Sequence, residues 1–210
     1  MYEETRKMSE IKAIPTEYKG YLFRSRLEAR WAVFLDAMGI EWEYEPEGFI
    51  LSDGSYYLPD FYLTRFHCYF EVKRKSVKDT EEGNKAEANI SDGSYTDRWA
   101  GLIAFGDPMD DELRIFCQDT SEDTAGTYEN PVTIGIHPVT QKPCLFSFED
   151  CRERYFFDTF QSWREIPMVT RERGKYKYED FINARVEGAR KLARQARFEH
   201  GETPVVGRCG

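Results

Sequence analysis

The chain has 210 residues, 40% of them hydrophobic and 15% aromatic, enough for a sizeable core in one generous domain or a domain with an elaborated tail. Its net charge of −9 argues against a simple basic nucleic-acid binder, and no segment approaches the roughly 18 consecutive apolar residues of a membrane span. Five cysteines without a C-x-x-C pair, and three histidines without a close pair, argue against a disulfide framework, a zinc site or a His-based metal site and fit a reducing cytoplasm.

The opening "MYEETRKMSEIKAIP" is polar and lacks the apolar stretch of a secretory signal, so residues 1–17 are expected to be a flexible lead-in. "YKGYLF" (18–23) reads as a turn with a short strand. "SRLEARWAVFLDAMG" (25–39) is the clearest helix: Leu27, Trp31, Phe34, Leu35 and Met38 form one apolar stripe, Ser25 suits the N-cap and Gly39 the stop. "IEWEYE" (40–45) alternates apolar and acidic as a half-exposed strand does.

In "GFILSDGSYYLPDFYL" (48–63) the Asp53-Gly54 pair signals a hairpin, and Pro59 marks a junction between strand segments. "CYFEVK" (68–73) is a strand. Residues 76–92 are polar and weakly helical, with Gly83 against the helix. Residues 101–108, 113–119, 131–138 and 144–150 read as strands, the last two joined by a hairpin loop at 138–143, and 178–200 as one long helix. Helix, strands, weak helix, strands and helix together predict an α/β or α+β layered domain.

Charge is unevenly spread. Residues 171–210 carry ten Lys/Arg against six Asp/Glu, and residues 106–153 carry eleven acids against three bases, so a basic tail follows an acidic middle.

The chemistry concentrates in "PDFYLTRFHCYFEVK". A hairpin turn centred between Arg65 and Phe66 sets Asp60 directly opposite Glu71, where cross-strand neighbours lie about 4.5–5.5 Å apart. Two carboxylates that close repel unless a cation lies between them or one is protonated. Oxygen donors alone select a hard ion, Mg²⁺ or Mn²⁺. Strand alternation puts Lys73 on the face of Glu71, with Phe70 and Val72 turned into the core. An ammonium there can orient an attacking water or stabilise charge developing on a phosphate.

Pro59-Asp60 and Glu71-Val72-Lys73, preceded by a helical Glu28 and a strand, resemble the PD-(D/E)XK nuclease superfamily. The order is similar to that of compact phage-type nucleases and of transposon-end and very-short-patch repair endonucleases. This resemblance covers about residues 18–108. It implies a restriction-endonuclease-like α-β-β-β-α-β core with a mixed central sheet, carrying here extra C-terminal strands and a long C-terminal helix. It further implies Mg- or Mn-dependent hydrolysis of DNA leaving a 5′-phosphate, in a bacterial or phage-infected cell. Carried over, Asp60 and Glu71 are metal ligands with the backbone carbonyl of Val72, Glu28 supplies a third carboxylate, and Lys73 positions the nucleophilic water. The corresponding division is a lead-in (1–17), a nuclease core (18–108), an acidic β-rich extension (109–170) and a basic helix and tail (171–210).

Other readings stand beside these. Ser25 and Glu28 also form an S-x-x-E capping box. Arg24, Lys75 and Lys78 are either phosphate contacts or a solvated basic surface, and Lys85 is a candidate auxiliary residue. Arg190, Arg194 and Arg197 recur along one stripe of the last helix, as a solvated row or a clamp on nucleic acid. Segment 106–130 is either a solvated acidic excursion or a surface for a protein partner. A catalytically silent, nuclease-like scaffold acting as a binding or inhibitory factor is the alternative to an enzyme. Oligomeric state is not legible.

Overall fold

The computed structural model describes residues 13–92, 100–110, 113–119, 126–147, 155–157 and 178–198. A small hairpin opens the chain, β1 (Thr16–Tyr18) against β2 (Tyr21–Phe23). Its two turn residues, Lys19 and Gly20, both have positive φ (52° and 82°), the backbone that a tight two-residue hairpin needs. β1 begins inside the expected lead-in because Tyr18 and Phe23 are both buried and draw Thr16 and Glu17 into order.

Helix α1 (Arg26–Met38) follows the periodicity of its apolar stripe. Ser25 caps it by accepting from the Glu28 amide, and Gly39 ends it at φ 69°. Trp31, Phe34, Leu35 and Met38 are all buried. Each such side chain contributes about 1.5–3 kcal/mol on burial. β3 (Trp42–Tyr44) comes next, then the expected Asp53-Gly54 hairpin as a separate pair, β4 (Phe49–Ile50) and β5 (Tyr56–Tyr57).

β6 (Phe61–Leu63) and β7 (Cys68–Lys73) pair antiparallel, Phe61 opposite Phe70, Tyr62 opposite Tyr69 and Leu63 opposite Cys68. This is the register the sequence predicts. A 3-10 turn (Lys75–Val77) leads to α2 (Glu81–Ser91), capped by Thr80, and the chain returns as β8 (Ala100–Phe105), parallel to β7. Gly83 belongs in α2 for a packing reason, since a Cβ there would lie 2.3 Å from the Val77 carbonyl oxygen.

β9 (Leu113–Asp119), β10 (Gly126–Ile136), β11 (Pro143–Ser147) and β12 (Tyr155–Phe157) add antiparallel strands to one eight-stranded sheet, ordered β12-β11-β10-β9-β8-β7-β6-β3. The described acidic residues of the middle region therefore lie on strands continuous with the central sheet and on the turn after β8.

The C-terminal helix differs from expectation. It is two pieces, α3 (Tyr178–Phe181) and α4 (Ala184–Gln195), because the Asn183 carboxamide accepts from the Arg185 and Val186 amides and starts a new helix. Phe181 is held out of the α4 line by stacking on Phe146 at 4.6 Å.

Strand alternation sorts the core onto two faces. Phe61, Leu63, Phe70, Val72, Leu102 and Ala104 pack with α1 and α4, while Tyr62, Tyr69, Ile103 and Phe105 pack with Ala86 and Ile90 of α2. The protein is thus a mixed α+β layered structure with helices on both sides of a mixed sheet. Among the described residues no helix is long and apolar enough to cross a membrane.

Candidate active site

The β6 ladder stops at the Phe61–Phe70 pair, and Asp60 and Glu71 are the residues next beyond it on the two chains. The Val72 amide, one step beyond, donates to Oδ2 of Asp60 at 2.8 Å. Pro59 and Asp60 are both buried, Asp60 at the bend between β5 and β6. Asp60 is 2% exposed and Glu71 3%.

Glu71 sits on the α2 face of β7. Its Oε2 accepts from the Tyr57 hydroxyl at 2.8 Å, and its Oε1 is ion-paired with the Lys73 ammonium. Lys73 shares that face two residues on, as strand alternation requires. Its side chain is 28% exposed and reaches the wall of a cleft of about 950 Å³. Glu28, Val72 and Lys75 also line this cleft, together with Gly106 and Asp110 of the turn after β8. Asp60 and Glu71 stand behind the wall.

The electrostatics follow from this burial. Desolvation, then the neighbouring Glu71 charge, push the Asp60 carboxyl well above the ordinary carboxylate range, against the pull of Lys73 and the Val72 amide. Burial alone would lower the Lys73 ammonium, but Glu71 and Asp60 outweigh it and hold it above its usual value. Lys73 is therefore a cationic donor at neutral pH.

Arg24, between β2 and α1, bounds the site at Asp60. Its Nη2 lies 2.7 Å from Oδ1 of Asp60 and its Nε 2.7 Å from Glu45. Burial opposes the Arg24 charge, and Asp60 with the neighbouring acids more than restores it.

Glu28 is buried beside this group, and its oxygens are taken by local partners. Oε1 accepts from the Ser25 hydroxyl at 2.6 Å; Oε2 accepts from the Tyr44 hydroxyl at 2.7 Å and the Arg24 amide at 3.1 Å. The reach back to Arg24, one residue before the cap, makes this a variant of the expected capping box. Burial, and then the Glu28 contact, push the Tyr44 phenol upward. Among the described residues no three of His, Cys, Asp and Glu are gathered closely enough to enclose a metal ion.

The basic candidates separate. Lys75 is 54% exposed and pairs with Asp110 at 3.1 Å beside the cleft. Lys78 ends the 3-10 turn, and Lys85 is exposed on α2. Arg194 and Arg197 are exposed, but Arg190 is 7% exposed and paired with Glu187 at 3.6 Å. The three do not form one solvent-facing row, because α4 turns Ala189, Arg190 and Ala193 towards its packing partners. Residues 111–112, 120–125, 171–177 and the tail beyond 198 lie outside the described residues, and with them parts of the acidic segment and of the basic tail.

Sequence reasoning did not anticipate Tyr57, Tyr44 or Glu45. The first had a signal. Hairpin alternation turns Tyr57 inward when Tyr56 faces out, and a buried phenol takes a hydrogen-bond partner.

No model of a known protein family matches the chain, and no curated protein matches it.

Proposed function

We propose that this protein is a divalent-metal-dependent nuclease that hydrolyses phosphodiester bonds in DNA. The observation that carries the reading is the grouping of Asp60, Glu71 and Lys73 on adjoining strands, with Lys73 reaching the cleft and the two acids behind its wall. With the separate β4–β5 pair set aside, the order α1, β3, β6, β7, α2, β8 supports it, matching the α-β-β-β-α-β succession expected of the PD-(D/E)XK nucleases.

The donor set fits a hard cation in part. Asp60 and Glu71 offer paired carboxylate oxygens, and the Val72 carbonyl is a further candidate. Glu28 is committed to its cap in this arrangement. Two carboxylates suffice for Mg²⁺, which retains several waters and is commonly held by one or two acids. When bound, the ion supplies a water of lowered pKa and neutralises charge on the scissile phosphate.

The chain's own groups then have defined tasks. The Val72 amide fixes the Asp60 carboxylate. Tyr57 and Lys73 fix Glu71 from opposite oxygens. The Lys73 ammonium, at the cleft wall, donates to the attacking water or to a phosphate oxygen. Arg24, Lys75, Arg194 and Arg197 are the basic residues from which backbone contacts would be drawn. The Asp/Glu/Lys motif does not itself distinguish DNA from RNA; a DNA substrate and a bacterial or phage setting are what the family resemblance implies.

A second reading, a silent scaffold that binds a protein through its acidic segment, is favoured by one observation. All three carboxylates already have partners within the protein. Incubation with single-stranded, duplex and branched DNA in Mg²⁺, Mn²⁺ or EDTA separates the two. Cleavage only with the metals supports the enzyme, and intact DNA in every tube supports the scaffold.

A further inference from the structure

We infer that Arg24 and a divalent cation are alternative partners of Asp60, so that loading the cation releases the Arg24 guanidinium to grip a backbone phosphate. The inference rests on the nuclease reading and adds to it a built-in counter-ion that becomes a substrate contact. Asp60 is nearly inaccessible, its Oδ2 is held by the Val72 amide, and Oδ1 faces Arg24 Nη2 at 2.7 Å. A cation held by that oxygen would carry like charge to the guanidinium already paired with it, and the two would repel. One of the two must leave.

Arg24 is the one built to move. Its side chain is 55% exposed, while its amide is anchored by Glu28 at 3.1 Å and Tyr44 at 3.0 Å. The pivot is fixed, and the charged fork, paired with Glu45 and Asp60, is the solvent-accessible end. Ser25 and Arg26, the next residues, already line the cleft, so a released fork lies at its edge. Its planar donors suit a phosphate, which it could hold by two parallel hydrogen bonds. Glu28 is then a positioning residue, acting through the Arg24 backbone.

The test is calorimetric titration of the full chain with MnCl₂ at fixed ionic strength. Arg24→Met should bind Mn²⁺ about tenfold more tightly than the unaltered protein. Adding Asp60→Asn to it should abolish the gain. Glu45→Gln, which loosens Arg24 without touching Asp60, should shift affinity the same way and serves if Arg24→Met does not fold. A companion measurement follows duplex binding by fluorescence anisotropy in a Lys73→Met background. There Arg24→Met should lower the salt slope by about one unit in Mn²⁺ and leave it unchanged in EDTA. Equal or weaker Mn²⁺ binding by Arg24→Met and Glu45→Gln, or no Mn²⁺ binding by any chain, overturns the inference. Tighter binding in the variants with no DNA cleavage by the unaltered protein retains the cation exchange and removes the nuclease reading instead.

Discussion

Tyr57 and Glu71, fourteen residues apart, meet through a hydroxyl-to-carboxylate hydrogen bond of 2.8 Å that is wholly buried. The contact ties the small β4–β5 hairpin to the central strand carrying Glu71 and Lys73. Tyr57→Phe keeps the ring and deletes only the donor. A buried hydrogen bond to a charged group contributes about 1.5–3 kcal/mol, so stability by urea denaturation should fall by about that amount. Cleavage should fall as well, because Glu71 then keeps Lys73 as its remaining anchor on this pair of oxygens.

Asp60 makes a structural as well as a chemical contact. Repulsion between buried acids alone would leave Asp60→Ala as stable as the parent or more so. The Val72 amide reverses that expectation, since alanine leaves it without its acceptor, at a cost of about 1–3 kcal/mol. Asp60→Asn retains an oxygen for Val72 and should melt closer to the parent. Both should be inactive.

The direction of the Asp60 shift sets a pH signature. Its folded-state value is raised, so its contribution to stability is full below about pH 3.9, the unfolded value, and is lost as pH rises through the folded value. Asp60→Asn carries no such loss. Its melting temperature relative to the parent should therefore climb as pH rises above about 4. Lys73 behaves in the alkaline range: its raised value gives a contribution full below about pH 10.4 and lost above it. Lys73→Met should close its stability gap to the parent only in that range.

Much of this site was legible because it is local. The Asp53-Gly54 turn, the strand alternation of 68–73 and the hairpin register between Asp60 and Glu71 are all short-range patterns, and each has its expected form. What escaped depends on distant packing. Arg24 meets Asp60 across 36 residues, and Trp31 donates to the Gly106 carbonyl across 75, pinning the turn that lines the cleft. No periodicity encodes such meetings. The break at Asn183 escaped for a related reason: helical spacing continues through it, and the stack of Phe181 on Phe146 of β11, which accompanies the Asn183 cap, is distant in sequence.

Arg190 and Arg194 of α4, with Arg197 just beyond it, give a separable pair of outcomes. Arg194→Ala and Arg197→Ala alter exposed side chains and should leave stability within about 0.5 kcal/mol. If they contact backbone phosphates, each should lower the salt slope of DNA binding by about one. Arg190→Ala removes a buried side chain and should lower the melting temperature without a specific effect on that slope.

The most direct measurement is single-turnover cleavage of labelled DNA in Mg²⁺ or Mn²⁺ by the unaltered chain, Glu71→Gln and Lys73→Met, each first shown to be folded. Convergence of Asp60, Glu71 and Lys73 on one reaction requires cutting by the unaltered chain, none in EDTA, and a loss of at least about a hundredfold in both variants. Cutting by Lys73→Met at the parental rate, or no cutting by the unaltered chain on any substrate, would contradict it.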